Sequence, residues 1–308
     1  MEKTKILIDT DIGDEIDDAL ALYFAMQKNV EIVGVTTVFK NTVQRAQMAK
    51  KILCSFSCSY KKVPVYAGYS SFDSNKIENT NINHYTPDLE EYKIDNTNPQ
   101  KAVDFIIESC KKYGNSLTIV AIGPFTNIAK AIQKEPSAFD NVRVVIMGGA
   151  YYSQYADWNV SCDTKSAKIV FDNVKNLECL GADVTHKLKI SPTNRKKIVG
   201  YKDKGNNAVG RYLAEIYDKF NAKDYEVFLH DPLAVYYAID SSVCEMENAR
   251  VEVIEDGAGK GITLNLKEYN KEYLNPFYIN KDSKNVIKVA KQVKKNEFIN
   301  IFMQVFEK

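Results

Sequence analysis

The sequence predicts a single α/β domain built on a doubly wound, mostly parallel sheet with helices on both faces. Short β-branched runs alternate with longer segments of helical period, the pattern of crossover units on a parallel sheet. The chain has 308 residues, 45% of them apolar, a length at which α/β folds commonly form one domain. No repeat, low-complexity tract or Pro-rich linker divides it, so residues 1–308 are expected to fold as one unit.

Taken in order, Lys5 to Ile8 reads as a buried strand, and Asp17 to Lys28 as a helix with Ala19, Leu20, Leu22, Tyr23 and Met26 on its apolar side. Val30 to Val38 is the next strand and Thr42 to Leu53 the next helix. Strands follow at Val63 to Ala67, Leu117 to Ile122, Val142 to Met147 and Leu177 to Gly181. Helices near Pro99 to Tyr113, Thr126 to Lys134 and Lys165 to Asn173 fall between them. Val251 to Val253 and Gly261 to Leu266 resemble a late hairpin, and Asn285 to Val289 a last strand before a closing helix. Two stretches interrupt the alternation. Residues 68–98, rich in Ser, Asn, Asp and Thr, form a loop long enough to be a lid over a site, and residues 191–225 are a charged, mostly helical insertion. In such sheets ligands collect beyond the C-terminal ends of the strands, so chemistry is sought in the residues just after each strand.

Charge and composition exclude several classes of function. The 41 Lys+Arg against 40 Asp+Glu leave a net charge of +1, with no basic block, which argues against nucleic acid as a partner. Apolar runs reach only about eight residues where a membrane span needs about 20, so no membrane association is expected. The opening residues lack the pattern of an export signal, and the six cysteines are scattered, so they read as reduced thiols in a cytoplasmic protein. The only close cysteine pair has neither a second pair nor histidines nearby, which argues against zinc.

The sharpest feature is ILIDTDIGDEIDDALAL, residues 6 to 22, in which Asp9, Asp11, Asp14, Glu15, Asp17 and Asp18 crowd between a buried strand and a helix start. Two unit charges about 5 Å apart repel by roughly 3 kcal/mol at an effective dielectric of about 20, so the cluster needs a counter-charge. The helix N-terminus supplies some, since Asp17 and Asp18 can meet its free N–H groups and dipole. A hard divalent cation accounts better for a D-x-D strand end followed by a D-D pair. An EF-hand starting at Asp9 fails because its twelfth position is Leu20.

The segment resembles the D-T-D-x-G-x-D-D-A-x-A-L loop of the inosine-uridine-preferring nucleoside hydrolases, with two extra residues between Gly13 and Asp17. Six further segments match the family in order: Thr36 to Asn41, with Lys40 where Gly is usual; Val120 to Ala129; Ile146 to Tyr152; Asp157 to Asp163; Asp183 to Leu188; and Leu229 to Asp240. Val251 to Leu264 is a weaker match that extends the resemblance almost to full length.

The resemblance implies a Ca²⁺-dependent N-ribohydrolase that cleaves the N-glycosidic bond of ribonucleosides, water attacking ribose C1′ to give ribose and free base. It implies that Asp11 ligates Ca²⁺ and acts as general base, with Asp18, Asp231 and the carbonyl of Ile122 as further ligands. Asp17, Asn41, Met147, Asp157, Trp158 and Asn159 would line the ribose site, and His230 would protonate the leaving base. Asp9, Asp14 and His84 are candidates for supporting roles. Taken alone, His230 also suits a capping or packed position, and His186 reads as structural. Tyr151, Tyr152 and Tyr155 could stack on a base. Relatives are commonly dimers or tetramers, so a homo-oligomer acting on a small nucleoside or ribosyl compound is expected.

Two departures bear on substrate: Asp157 stands where the family usually has Glu, and the loop between Gly149 and Asp157 is short. Two other classes are therefore weighed: a ribosyl-binding member with little or no turnover, and a Mg²⁺-dependent aspartyl phosphohydrolase with Asp9 as nucleophile.

Overall fold

The computed structural model describes residues 3–28, 30–74, 76–95, 97–153, 155–201, 208–220, 226–266 and 285–307. Parts of the helical insertion, residues 202–207 and 221–225, lie outside them, as do residues 75 and 96 of the long loop.

The main sheet is built from β1 (Lys5–Thr10), β2 (Glu31–Thr37), β3 (Val65–Ala67), β4 (Leu117–Ala121), β5 (Arg143–Met147), β6 (Leu177–Leu180), β7 (Cys244–Ala249) and, last in the chain, Ile287–Val293. The short β8 (Val251–Val253) and β9 (Thr263–Asn265) form a separate antiparallel hairpin, so Ile287–Val293 is β10. The order across the main sheet is β3-β2-β1-β4-β5-β6-β10-β7, parallel throughout except for β7, which runs antiparallel to β10. Strand order reverses direction at β1, the topological switch point at which such sheets open a crevice.

Alternation along the strands divides the core into two layers. Ile6 and Ile8 of β1, Val120 of β4 and Val145 of β5 face one layer, while Leu7, Ile119, Val144 and Ile146 face the other. The first layer is covered by α1 (Asp17–Gln27), α2 (Thr42–Phe56), α9 (Ala208–Phe220) and α10 (His230–Ile239), and by a closing helix, Lys295–Met303. The second is covered by α3 (Pro99–Tyr113), α4 (Thr126–Lys134) and α6 (Thr164–Asn173). The insertion contributes α8 (Pro192–Gly200) and α9 (Ala208–Phe220), and the short helices α5 (Trp158–Cys162) and α7 (Ala182–Thr185) follow β5 and β6.

The position of α1 is decisive for the site. Every residue from Asp17 to Met26 is buried, so α1 is a central helix and not an amphipathic surface helix. It packs against α10, which is buried from Asp231 to Ala238. Both helices start at the C-terminal rim of the sheet, and neither has a side-chain cap at its N-terminus. Two uncapped, positively polarised helix ends therefore meet at one buried place.

The hairpin and the parallel last strand agree with the sequence reading, although β10 begins at Ile287 and runs on to Val293. The antiparallel edge strand β7 does not appear in that reading, because Glu245 and Glu247 break its apolar pattern, as charges at sheet edges commonly do.

Candidate active site

The acidic loop leaves β1 at Thr10 and enters α1 at Asp17, and it floors a cleft of about 420 Å³. Asp11, Asp14, Glu15, Asp17, Asp18 and Asp231 all reach this cleft. Ile122 comes from the end of β4, Met147 from the end of β5, and Asp157, Trp158 and Asn159 from the start of α5. His230, the first residue of α10, closes one side.

Asp17, Asp18 and Asp231 each place a carboxylate oxygen within 4.8 Å of the others, and all three are buried. The concentration of negative charge is legible in Asp11, Asp17, Asp18 and Asp231, whereas, against its burial, Arg45 holds Asp14 low. Burial lifts Asp11 to about 6, eased by Arg45 and worsened by Asp14 and Glu15. Burial lifts Asp17 to about 8, with Glu15 and Asp11 adding repulsion. Asp18 and Asp231 are likewise raised well above the usual carboxylate range, first by burial and then by their acidic neighbours. Asp17 and Asp231 stand among each other's electrostatic neighbours. A cation among these oxygens would offset that repulsion, and an all-oxygen donor set suits a hard ion such as Ca²⁺ or Mg²⁺. These residues therefore fit a divalent cation.

Around the cluster the support is built from hydroxyls and amides. Thr10 Oγ1 donates to Asp18 Oδ1 at 2.5 Å, and Asn159 Nδ2 donates to the carbonyls of Ile122 at 3.0 Å and Met147 at 3.1 Å. Asp157 accepts from the Val160 N–H at 3.1 Å, capping α5, and still faces the cleft. Gly123 lets the loop after β4 press against the acidic loop, since a Cβ there would lie 2.8 Å from the Asp11 nitrogen and 2.9 Å from its Oδ1.

Five candidates do not reach the cleft. Tyr151 is buried with its hydroxyl donating to the Gly148 carbonyl, and Tyr152 donates to Glu247, so of the three tyrosines only Tyr155 lines it. Asp9 is fully buried behind its wall, where Oδ1 accepts from Thr36 at 2.5 Å and from Asn127 at 2.8 Å, tying β1 to β2 and α4. A nucleophile must meet its substrate, so Asp9 is a support, and the aspartyl-phosphohydrolase reading loses its reacting group. Asn41 caps α2 through Gln44 N–H and donates to the Thr80 carbonyl at 3.0 Å. His84 is buried beneath the acidic loop, its N–H donating to the Gly13 carbonyl at 2.8 Å, and burial lowers its imidazole to about 4.

Other residues reach the cleft without having been singled out for it. His186 lines it beside His230, with ring centroids 4.9 Å apart, and its Nδ1 lies 2.7 Å from the Tyr155 hydroxyl. Its place just after the DVT of α7 is the signal that could have found it. Lys40 and Asn83 reach the rim, and Trp158, 64% exposed, meets Phe39 edge to face at 6.4 Å. Burial and His186 push His230 down to about 3, so it is a neutral imidazole at pH 7, and its Nδ1 lies 2.6 Å from Thr185 Oγ1. Among the described residues, no helix is long and apolar enough to cross a membrane.

Comparison with known proteins agrees with this geometry. A family model described as inosine-uridine preferring nucleoside hydrolase matches residues 6–300. The chain is 31% identical to an inosine-uridine preferring nucleoside hydrolase of Leishmania major over 82% of this chain and 84% of that protein. It is 30% identical to uridine nucleosidase 1 of Arabidopsis thaliana over 86% and 84%. A solved plant nucleoside hydrolase superposes with a TM-score of 0.81 at 24% identity over 98% of both chains, a likeness of fold.

Proposed function

The chain belongs to the inosine-uridine preferring nucleoside hydrolase family, and from that premise we propose that it hydrolyses the N-glycosidic bond of ribonucleosides with Ca²⁺ as its cation. The observation that carries the reading is the convergence of Asp17, Asp18 and Asp231 from two helix starts, with Asp11, on the floor of one cleft that His230 also lines. Asp11, Asp18, Asp231 and the Ile122 carbonyl would hold the ion. When bound, the cation supplies Lewis acidity toward water and a grip on vicinal hydroxyls.

The chain's own residues then divide the work. Asp11 accepts the proton of the attacking water as the C1′–N bond breaks and ribose passes through an oxocarbenium-like state. Asp17 accepts hydrogen bonds from ribose hydroxyls, with Asp157 and the Asn159 carbonyl oxygen as further acceptors. The Asn159 amide nitrogen is occupied by Ile122 and Met147, so it positions that wall. Trp158 and Met147 border the sugar on the apolar side.

His230 is the group that would meet the leaving base. In the tautomer whose Nδ1 accepts from the Thr185 hydroxyl, the neutral ring's one proton stands on Nε2, where it hydrogen-bonds the departing nitrogen and stabilises the charge the base takes up as the C1′–N bond breaks, the base then taking a proton from water. The long loop of residues 68–98 is the lid in this account. Its Asn83 reaches the cleft and donates backbone and side-chain N–H groups to Asp14. The enzyme in this reading is a cytoplasmic homodimer or homotetramer.

The test is product analysis over a panel of uridine, inosine and their 2′-deoxy analogues. Stoichiometric free base and reducing sugar from the ribonucleosides is the expected result. Cation-dependent binding of nucleoside with no base released would overturn turnover in favour of a binding protein.

A further inference from the structure

Asp14 lies between Gly13 and Asp17, a stretch two residues longer than the family loop it resembles, within electrostatic reach of Asp11. Two cations answer it. Arg45 of α2 is fully buried, and its guanidinium serves two separate segments. Nη1 donates to the carbonyls of Asp11 and Ile12, the latter at 3.0 Å, Nε donates to the Phe39 carbonyl at 2.7 Å, and Nη2 donates to Asp14 Oδ2 at 2.6 Å. Lys40 Nζ lies 3.7 Å from the same oxygen. Phe39 and Lys40 hold left-handed φ angles of 71° and 55°, costly for residues with a side chain, and this turn brings the Phe39 carbonyl to Arg45.

We propose that Arg45 is a positioning residue for the cation site: it fixes the main chain that presents Asp11, and Asp14 serves Arg45 as counter-ion instead of serving the cation as ligand. This rests on the reading of Asp11, Asp18 and Asp231 as cation ligands. A guanidinium with no exposed surface needs an ionised partner, and Asp14 is the carboxylate hydrogen-bonded to it among the described residues. Turning Asp14 toward a divalent ion would leave Arg45 a buried cation beside that ion. The planar fork also does what a point charge cannot, because it holds adjacent carbonyls on one loop and a third on another.

Charge and geometry predict opposite signs, which makes the proposal testable. Removing a cation beside a divalent ion tightens binding by electrostatics alone, whereas losing the fork loosens it. The experiment measures Ca²⁺ affinity by calorimetry on the whole protein stripped with a chelator, with Tm recorded on the same samples. Arg45→Lys keeps the charge and loses the fork, and it should weaken Ca²⁺ binding by about tenfold or more. Arg45→Met should weaken it as well. Asp14→Asn removes the counter-ion but retains an oxygen for Nη2, so it should lower Tm while binding Ca²⁺ within about threefold of wild type. Unchanged affinity in Arg45→Lys with only a lowered Tm, tighter binding in Arg45→Met, or a loss of about tenfold or more in Asp14→Asn would each overturn the proposal. Should both Arg45 variants fail to fold, the split in Asp14→Asn decides: a lowered Tm with affinity kept supports the pairing of Asp14 with Arg45, and an unchanged Tm or an affinity loss of about tenfold or more overturns it. A wild type that takes up no Ca²⁺ overturns the cation reading itself, an outcome seen before any variant is made.

Discussion

The two ends of the same parallel strands treat buried carboxylates in opposite ways. At the N-terminal ends, Glu178 of β6 is buried and accepts from Arg143 Nη2 at 2.6 Å and Nε at 2.9 Å, and from Lys288 Nζ at 3.0 Å. The Arg143 and Lys288 charges outweigh its burial and hold its carboxyl below the usual range. At the C-terminal ends, Asp17, Asp18 and Asp231 are as deeply buried and have mainly one another for company, and all three are raised. The fold can neutralise a buried acid with cationic side chains and does so where only stability is at stake. Where it leaves acids uncompensated, the missing positive charge belongs to something that must enter. That contrast between a finished ion-pair network and an unfinished one points to the site more directly than the number of acidic residues does.

Substitutions should separate the two ends by what they cost. At the C-terminal end the cost falls on rate: Asp11→Asn should lower kcat by about 10³-fold or more, because an amide cannot take a proton from water. Retention of activity within about threefold, below about 1 kcal/mol in barrier, would remove Asp11 as the base. His230→Ala should slow inosine by about 10²-fold or more and a nitrophenyl riboside far less, since nitrophenolate leaves without a proton. Equal slowing of both would reduce His230 to holding Asp231 in place.

At the N-terminal end the cost falls on stability. Glu178→Gln leaves Arg143 without its ionic partner and should destabilise the protein by about 2–4 kcal/mol in chemical denaturation, with kcat unchanged. In the metal-free protein Asp231→Asn should act in the other direction and stabilise by about 1–2 kcal/mol, because it removes a carboxyl that folding must either protonate or bury as an anion. Loss of stability in both variants would erase the contrast.

The two ends also differ in the sign of their pH dependence. Glu178 has a lowered folded pKa, so its contribution is present above the unfolded value and is lost as pH falls through the folded one. Asp17 rises from 3.8 to about 8, so the folded metal-free protein holds more protons between those values and loses stability as pH rises. Denaturation of the chelated protein across that window should show stability falling with pH, and added Ca²⁺ should flatten or reverse the slope. A slope unaffected by Ca²⁺ would detach the ion from these carboxylates.

The fold and the floor of the site were legible because their signals are local in the chain. β-branched runs mark β1, β4 and β5, and the carboxylates of residues 9–18 stand together in sequence before they stand together in space. Asp231 was reachable only through the match of its own segment, since nothing in the spacing ties it to Asp17 across more than 200 residues. Arg45 was not legible at all: in TVQRAQMAKK it reads as one more solvated helix charge, and its burial arises only when the β1 and β2 loops fold over it. His186 was read as structural because a histidine after a short turn usually is. Its place beside His230 depends on α7 and α10 meeting at the rim.

The central claim is that the uncompensated acids at the C-terminal rim await a cation on which ribosyl transfer to water depends. Titrating chelator-stripped protein with Ca²⁺ while following reducing-sugar release from uridine tests it most directly. The account predicts no release from the stripped protein and restoration that saturates at about one Ca²⁺ per chain. Undiminished turnover in excess chelator, or saturation with Ca²⁺ that restores nothing, would contradict it.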